Sequence, residues 1–337
     1  MTSDVGRTRR PTMVDVAALA GVSLKTVSRV VNNTPNVQPE LVERVLAAVA
    51  ELGFRRNHLA SSLRSGQTTA TIGLLIEEIA NPFYAAIAGA AAEVARQHDT
   101  MLIIASSEED PAREQQLLRD MCARRVDGLL VVPAGHDHSF LRAEVELGTP
   151  MVFLDRPPGG VLADTVLLDN RGGARAGVGR LVEAGHRRIG ILLDSIGVYT
   201  MRERLDGAQD ALAPTGAPYD TRLVREGIRD PAAASRVVAE LLDQPDPPTA
   251  FFSMNNRITL GVVEELCRRG SDAALVGFDD FDLARLMPYP LTVIAYDTRE
   301  LARTAAELLF RRIEGDRSWP RTVVLPTELV ERGVPPR

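Results

Sequence analysis

Residues 12–32, TMVDVAALAGVSLKTVSRVVN, constrain the fold of this chain more than any other segment. Small and apolar residues recur at helical spacing on both sides of Gly21, which predicts two short helices. Thr12 and Asp15 have the spacing of a capping box for the first helix, and Ser23 can cap the second. Gly21 permits the tight turn between them. Two short helices joined in this way form a helix-turn-helix, whose second helix enters the DNA major groove.

The predicted outer face of the second helix is polar, which an ordinary helical hairpin in a larger core does not explain. Side chains that donate or accept hydrogen bonds suit phosphates and base edges. The face comprises Lys25, Thr26, Ser28, Arg29 and Asn32.

Charge is divided unevenly along the chain, whose formal net charge is −6 over 337 residues. Residues 1–66 carry nine Lys or Arg against five Asp or Glu, so the acidic excess lies in the remainder. A small basic module on a large acidic one is typical of a DNA-binding head joined to a body that does not bind DNA. The basic N-terminus lacks an apolar stretch behind it, and no run of 18 apolar residues is present, so we expect a cytoplasmic protein.

Two further elements complete the predicted head. Residues 39–52 form a third helix with a buried valine stripe, ended by Gly53. Residues 57–64 could form two turns, which are marginal in water without a packing partner. They are either a linker or a hinge helix that orders on DNA. The predicted domains are therefore a helix-turn-helix domain at 10–56, a hinge or linker at 57–69, and an effector-binding and dimerisation domain at 70–337.

From residue 70 onwards, short apolar runs alternate with helical stretches. Runs of four to six apolar residues, buried on both faces, are typical of parallel strands. Strands that alternate with helices indicate right-handed βαβ units in doubly wound sheets, where ligands bind beyond the carboxyl ends of strands. The predicted strands cover 71–76, 101–105, 128–132, 150–154, 188–193, 250–253 and 274–278.

No enzyme, cofactor or metal motif accompanies these strands. The sequence lacks a dinucleotide-binding glycine fingerprint, a Walker loop and a nucleophile elbow. Cys122 and Cys267 are expected as free core thiols. His136 and His138 could form a loop metal pair, although the five histidines show no other ligand spacing. We therefore predict a protein that is not an enzyme and has neither cofactor nor metal.

Residues 12–66 closely resemble the DNA-binding head of the lactose-repressor (LacI/GalR) family of bacterial transcription regulators. The resemblance implies that Leu24, Lys25 and Arg29 read bases, and that Leu63 enters the minor groove and bends the duplex. The implied DNA-binding residues are Thr12, Ser23, Leu24, Lys25, Thr26, Ser28, Arg29, Asn32, Asn57, Ala60 and Leu63. The matching motifs are Asp15-Val16-Ala17, Ala20-Gly21-Val22-Ser23, Thr26-Val27-Ser28-Arg29-Val30, Leu52-Gly53-Phe54 and Leu63-Arg64.

The body resembles the same family over residues 70–334. Its landmarks are Asn81-Pro82-Phe83-Tyr84, Asp169-Asn170, Arg202-Glu203-Arg204-Leu205-Asp206-Gly207, Gly277-Phe278-Asp279-Asp280 and Glu328-Leu329-Val330-Glu331-Arg332. The resemblance implies a periplasmic-binding-protein-like body of two α/β lobes, at about 70–167 with 297–323 and 168–296 with 324–337. An effector would bind between them, contacting Asn81, Phe83, Tyr84, Asp155, Arg204, Arg229, Asn255 and Asp279. These side chains suit a hydroxyl-rich ligand such as a sugar or sugar derivative.

Two departures from the family pattern concern the effector. Asn255-Asn256 replaces the usual Asn-Asp pair, and Arg229 stands where many members place an aromatic residue. One interpretation is an acidic effector such as a sugar acid or phosphosugar. The other is that Arg229 points into solvent from a shifted loop.

The sequence thus predicts a sequence-specific regulator, a repressor, whose operator affinity is set allosterically by the effector. The partners are a palindromic double-stranded operator, the effector and a second copy of the chain. The C-terminus lacks an apolar heptad tail, so a homodimer is expected and not a tetramer. The alternatives are an activator or corepressor-dependent regulator of the same fold, or a small-molecule binding protein or enzyme whose head contacts only proteins.

Overall fold

The computed structural model describes residues 9, 11–31, 34–54, 69–215 and 220–333. The chain divides into two compact units, Met1–Thr69 and Ala70–Arg337. The expected hinge helix lies outside the described residues. So do four of the residues predicted to contact DNA, which are Asn32, Asn57, Ala60 and Leu63.

The first unit contains the three predicted helices, α1 (Met13–Ala20), α2 (Leu24–Val31) and α3 (Pro39–Leu52). Each helix contributes a fully buried valine to one small core: Val16, Val27 and Val45.

The capping predictions for the head are confirmed. Thr12 and Asp15 form a reciprocal capping box at the start of α1. The Thr26 amide donates to the Ser23 hydroxyl at 3.1 Å at the start of α2. Gly21 and Gly53 end α1 and α3 in the left-handed conformation, with φ of 60° and 61°.

The second unit alternates strands with helices, as the pattern predicted. The strands are β1 (Thr71–Ile76), β2 (Met101–Ser106), β3 (Gly128–Val131), β4 (Met151–Leu154), β5 (Asp164–Leu168), β6 (Ile189–Leu192), β7 (Val224–Arg225), β8 (Ala250–Ser253), β9 (Ala274–Phe278), β10 (Leu291–Ala295), β11 (Thr322–Leu325) and β12 (Glu328–Arg332). The helices are α4 (Pro82–Gln97), α5 (Pro111–Ala123), α6 (Arg142–Glu146), α7 (Asn170–Glu183), α8 (Tyr199–Leu212), α9 (Pro231–Leu242), α10 (Asn256–Arg269) and α11 (Thr298–Ile313).

These strands form two six-stranded sheets. The first has the order β11-β5-β4-β3-β1-β2 and is parallel throughout, and the second has the order β12-β10-β9-β8-β6-β7. The chain crosses between the sheets after β5, after β10 and after β11. In both sheets the strand order reverses beside the first strand, which is where doubly wound folds place their ligands.

Two details differ from the sequence predictions. The burial expected on both faces is wrong for β2, where Met101 is 65% exposed and Ile104 41% exposed. This strand lies at the edge of its sheet and, within the part of the chain that the structure describes, pairs with β1 alone. In the second sheet β12 runs antiparallel to β10, so that lobe is not wholly parallel.

The cysteine and histidine predictions are corrected in part. Cys267 is exposed, so it is not a core thiol, whereas Cys122 is half-buried. His138 is fully buried and its Nε2 lies 3.1 Å from Glu114, whereas His136 is exposed. The two imidazoles therefore have different environments, and His138 links the loop after β3 to α5.

Candidate functional site

A cavity lies beyond the carboxyl ends of the strands of both sheets and contains about 610 Å³ of space, including the part open to solvent. Ligands usually bind at this place in doubly wound folds. All eight residues predicted to contact an effector line it: Asn81, Phe83, Tyr84, Asp155, Arg204, Arg229, Asn255 and Asp279.

Strand ends and helix starts bring these side chains together. Asp155 directly follows β4 and Asp279 directly follows β9, and both have left-handed backbones with φ of 68° and 72°. Asn81 caps α4 and Asn255 caps α10, each through its side-chain oxygen. The amide nitrogens of these two caps remain as donors, so among these four side chains each sheet contributes one carboxylate and one amide.

Arg204, on α8, is a buried anchor of the second sheet's wall. It is 4% exposed and its guanidinium lies 3.6 Å from the centre of the Phe278 ring. Nε donates to Asn170 at 2.8 Å, Nη1 donates to the carbonyl of Met254, and Nη2 lies 3.1 Å from Asp279. These bonds hold Asp279 in place and leave Arg204 few donors for a ligand.

A second buried arginine, Arg156, gathers carboxylates at the wall of the first sheet. Its Nη2 donates to Glu77 at 2.8 Å and to Glu109 at 3.0 Å, and its Nε lies 3.5 Å from Asp155. Tyr84 donates its hydroxyl proton to Glu77. Burial raises the pKa of the Glu77 carboxyl to about 7, against the opposite effect of Arg156, and burial also raises the pKa of Asp155.

Ion pairs mark the mouth of the cavity. Arg229 pairs with Asp194 at 3.6 Å, but its side chain is 81% exposed, so it lines the cavity only from the rim. Arg257, in the first turn of α10, pairs with Glu78, which follows β1, at 2.8 Å. This second pair joins an element of one sheet to an element of the other.

Sequence reasoning missed several polar residues of the cavity. They are Glu77, Glu109, Arg156, Asp194, Arg257 and Tyr296. Three of them, Glu77, Arg156 and Asp194, could have been found from one signal, because they lie within two residues of the carboxyl end of a predicted strand. Tyr296 also needed contacts distant in sequence: its hydroxyl donates to Asp279 at 2.7 Å and its ring lies edge-on to Phe83.

The head presents the residues predicted to read DNA along one side of α2. Ser23, Leu24 and Lys25 are exposed, while Thr26, Ser28 and Arg29 are half-buried. Arg29 Nη2 donates to the carbonyl oxygens of Pro35 and Asn36 at 3.0 and 3.3 Å. To donate to a base through Nη2, it must leave these carbonyls.

Comparisons with known proteins identify relatives of both units. The sequence family described as "Bacterial regulatory proteins, lacI family" matches residues 12–57, and a periplasmic binding protein-like domain family matches residues 178–333. The ribose operon repressor of Haemophilus influenzae is 32% identical, over 95% of this chain and 97% of that protein. The regulator CelR of Thermobifida fusca is 33% identical, over 97% of this chain and 98% of that protein.

Solved structures give the same result. A lac repressor dimer bound to operator and an anti-inducer superimposes with a TM-score of 0.84 at 27% identity, over 98% of this chain and all of that one. A complex of CelR with cellobiose superimposes with a TM-score of 0.70 at 32% identity, over 96% of this chain and all of that one. Among the described residues, no helix is both long and apolar enough to span a membrane.

Proposed function

The chain belongs to the lacI family of bacterial regulatory proteins, and from that membership we propose that it is a repressor whose operator affinity is set by a sugar or sugar derivative. The effector binds in the cavity between the two sheets, and the head reads a palindromic operator. The relatives are transcriptional regulators, and we propose that this chain likewise binds its ligand without converting it. A regulator that reads chromosomal DNA acts in the cytoplasm, where that DNA lies.

The meeting of eight expected contact residues in one cavity is the observation on which this proposal rests. Carboxylates accept from hydroxyl groups, amides both donate and accept, and aromatic rings cover the apolar face of a sugar. Asp155 accepts no strong hydrogen bond from the described residues, since its nearest cationic partner is Arg156 Nε at 3.5 Å. It is therefore free to receive a ligand hydroxyl.

We propose two lobes and a two-fold dimer. We assign lobe 1 to about residues 70–168 with 297–325 and lobe 2 to about 169–296 with 326–337, with the head at 10–56 and the hinge at 57–69. The lobe boundaries lie one and two residues beyond the expected ones, because β5 and β11 belong to the first sheet. The exposed apolar side chains of β2 in lobe 1, and Leu283 and Leu286 in lobe 2, are suitable contacts for a second copy. A two-fold dimer of this kind places two heads on two half-sites.

The experiment is a selection of bound fragments from the host's genomic DNA at physiological salt, with and without a panel of sugars. Recovery of a palindrome that a sugar releases supports an inducible repressor. Recovery only in the presence of a sugar supports the corepressor alternative, and neighbouring genes that are transcribed less in a deletion strain support the activator. No enrichment under any condition contradicts the proposed DNA reading.

A further inference from the structure

Four arginines line the cavity, an arrangement that alone would suit an anionic ligand. Each of them already has a carboxylate partner at its own wall or rim. The pairs are Arg156 with Glu77 and Glu109, Arg204 with Asp279, Arg229 with Asp194, and Arg257 with Glu78. The positive charges are therefore compensated before any ligand enters.

Arg156 is the guanidinium whose position best matches an anion receptor, because it lies deep in lobe 1 beside Asp155. Its side chain is only 9% exposed. Both protons of Nη2 are committed to Glu77 and Glu109, and Nη1 donates to the carbonyl of Pro133 at 2.9 Å. A phosphate or carboxylate ligand would have to displace these two glutamates in order to bind Arg156 through Nη2.

The loop after β2 holds Glu109 in this place at a cost in backbone energy. Glu108 and Glu109 both have left-handed backbones, with φ of 54° and 57°, which side chains of this kind rarely adopt. The loop is anchored to the end of β1 by two hydrogen bonds to the carbonyl of Glu77, one from the Glu108 amide at 2.8 Å and one from the Ser106 hydroxyl at 2.6 Å. Strained residues persist where the surrounding structure fixes them, and they concentrate at functional sites.

The balance of charge at the cavity wall also disfavours an anionic ligand. The cavity is lined by four guanidinium groups and five carboxylates. The carboxylates are those of Glu77, Glu109, Asp155, Asp194 and Asp279. Glu109 and Asp194 come from different sheets and are close enough that Glu109 helps to raise the pKa of Asp194, after burial. An anion in the cavity would therefore meet repulsion that a neutral ligand does not.

Building on the proposed function, we propose that Glu77 and Glu109 are specificity-determining residues that occupy Arg156, so that the cavity selects neutral, hydroxyl-rich ligands and excludes sugar phosphates and sugar acids. Ligand hydroxyls can donate to the remaining carboxylate oxygens, whereas an anion meets arginines that already have carboxylate partners among the described residues. Selectivity here comes from repulsive groups built against the wrong ligand.

The test uses the full-length chain and inorganic phosphate as the probe, by isothermal titration calorimetry at about pH 8, which is above the raised pKa of Glu77. We expect E77Q/E109Q to bind phosphate about tenfold or more tightly than the wild type, because the charge of Arg156 becomes uncompensated. Adding R156Q should remove the gain. E108Q is the matched control: Glu108 pairs with Arg113 at 2.8 Å, is not part of the cavity lining and should leave phosphate binding unchanged.

Because Glu77 is partly buried, the single variant E109Q, at a side chain 31% exposed, provides a second measurement with less risk to folding. A smaller gain that also depends on Arg156 is expected. No gain in either variant while both keep the wild-type circular dichroism spectrum overturns the proposal. So does phosphate binding by the wild type that R156Q abolishes.

A panel of neutral sugars, including ribose and cellobiose, and their phosphates separates this inference from the function on which it rests. Tighter binding of phosphorylated sugars by the wild type overturns the specificity proposal and leaves a sugar effector standing. Gain of phosphate binding by E77Q/E109Q, with no sugar of either kind bound, supports the role of the glutamates and contradicts the sugar effector.

Discussion

At the scale of single residues, the cavity depends on two aspartates held in left-handed conformations. Asp155 follows a strand of one sheet and Asp279 a strand of the other, so they occupy equivalent places in two halves of similar topology. A left-handed turn at this point ends the strand and directs the side chain over the sheet edge. The bonds of Asp279 to Arg204 and Tyr296 compensate for the cost of that backbone.

Arg29→Ala should lose about 1–3 kcal/mol of preference at one base pair of each half-site, because a guanidinium that donates to a guanine edge discriminates by this amount. The measurement is a competition of operator variants for the mutant and wild-type proteins. Lys25→Ala, a change on the same helix face, is measured in the same competition for comparison. Equal weakening by R29A on operator and on random DNA would assign Arg29 to phosphate contact instead.

Glu77 should make folding stability fall as pH rises. Its pKa is raised from 4.5 to about 7 by burial, so the folded state binds a proton that the unfolded state has lost, and stability decreases with pH between these two values. The charged groups that face it are Arg156, Glu109 and Asp155, with the hydroxyl of Tyr84. Urea unfolding of wild type and E77Q from pH 5 to 8 measures the difference. Parallel curves, or a wild type that gains stability relative to E77Q as pH rises, would contradict the prediction.

At the scale of elements, helix ends decide the geometry of the head. Arg44 on α3 donates to the carbonyl oxygens of Ala20 and Gly21 at 2.6 and 3.2 Å, so the end of α1 is capped from another helix. A Cβ at Gly21 would lie 2.8 Å from Arg44 Nη2. The turn of the helix-turn-helix is therefore fixed both by its own φ and by a tertiary cap.

Gly21→Ala should destabilise the head more than Gly53→Ala does. Both glycines have nearly the same left-handed φ, which costs about 1–2 kcal/mol for alanine. At Gly53, however, the described residues other than its chain neighbours place no atom within 4 Å of an added Cβ. Hydrogen exchange of head peptides, followed by mass spectrometry in the full-length protein, measures the loss for each variant. Equal loss of protection would mean that the Arg44 cap contributes nothing.

The strand predictions show how far a local pattern extends. Apolar runs of six and five residues predicted β1 and β9 with the bounds that the structure shows, because parallel strands in the middle of a sheet are buried on both sides. The same pattern predicted the position of β2 but did not predict that Met101 and Ile104 are exposed, since these residues belong to an edge strand. The two-residue strand β7 has no pattern to read. Sheet order, which separates an edge from a centre, is a property of the tertiary structure.

At the scale of the whole molecule, opposed lobes can be held together by charge. The Glu78–Arg257 pair joins the end of β1 to the start of α10. Arg257 stands at the N-terminal end of its helix, where a cation is unfavourable, so the carboxylate of the other lobe compensates for its local environment. The pair therefore favours the arrangement of lobes seen here.

E78Q and R257Q should each raise the ratio of open to closed molecules by about two- to fivefold. This is the range expected for the loss of a partly exposed ion pair. The charge swap E78R/R257E should restore closure in part. Distances between spin labels, one on each lobe, measure the populations at low and high salt. Failure of the swap to restore any closure, or a wild type insensitive to salt, would contradict a role for charge.

A dimer without a tetramer is expected in solution. Light scattering at micromolar concentration should give twice the mass of the 36.6 kDa chain. Replacing Leu286, which is 67% exposed, with Asp should weaken the dimer, whereas the same change at Leu147, 80% exposed outside the proposed contact, should not. A tetrameric mass, or equal effects of the two changes, would contradict this arrangement.

The sequence by itself determined what local rules govern. Capping pairs, a glycine turn and valine spacing specify the head, and apolar runs specify most strands, because these depend on residues a few positions apart. The resemblance of motifs located eight side chains in one cavity. Only the tertiary structure decided which groups neutralise one another: Arg156 meets Glu77 and Glu109 across separations of 79 and 47 residues. Electrostatic compensation depends on distance in space, which local sequence patterns do not encode. The net charge that a ligand meets in the cavity could therefore be determined only from the folded chain.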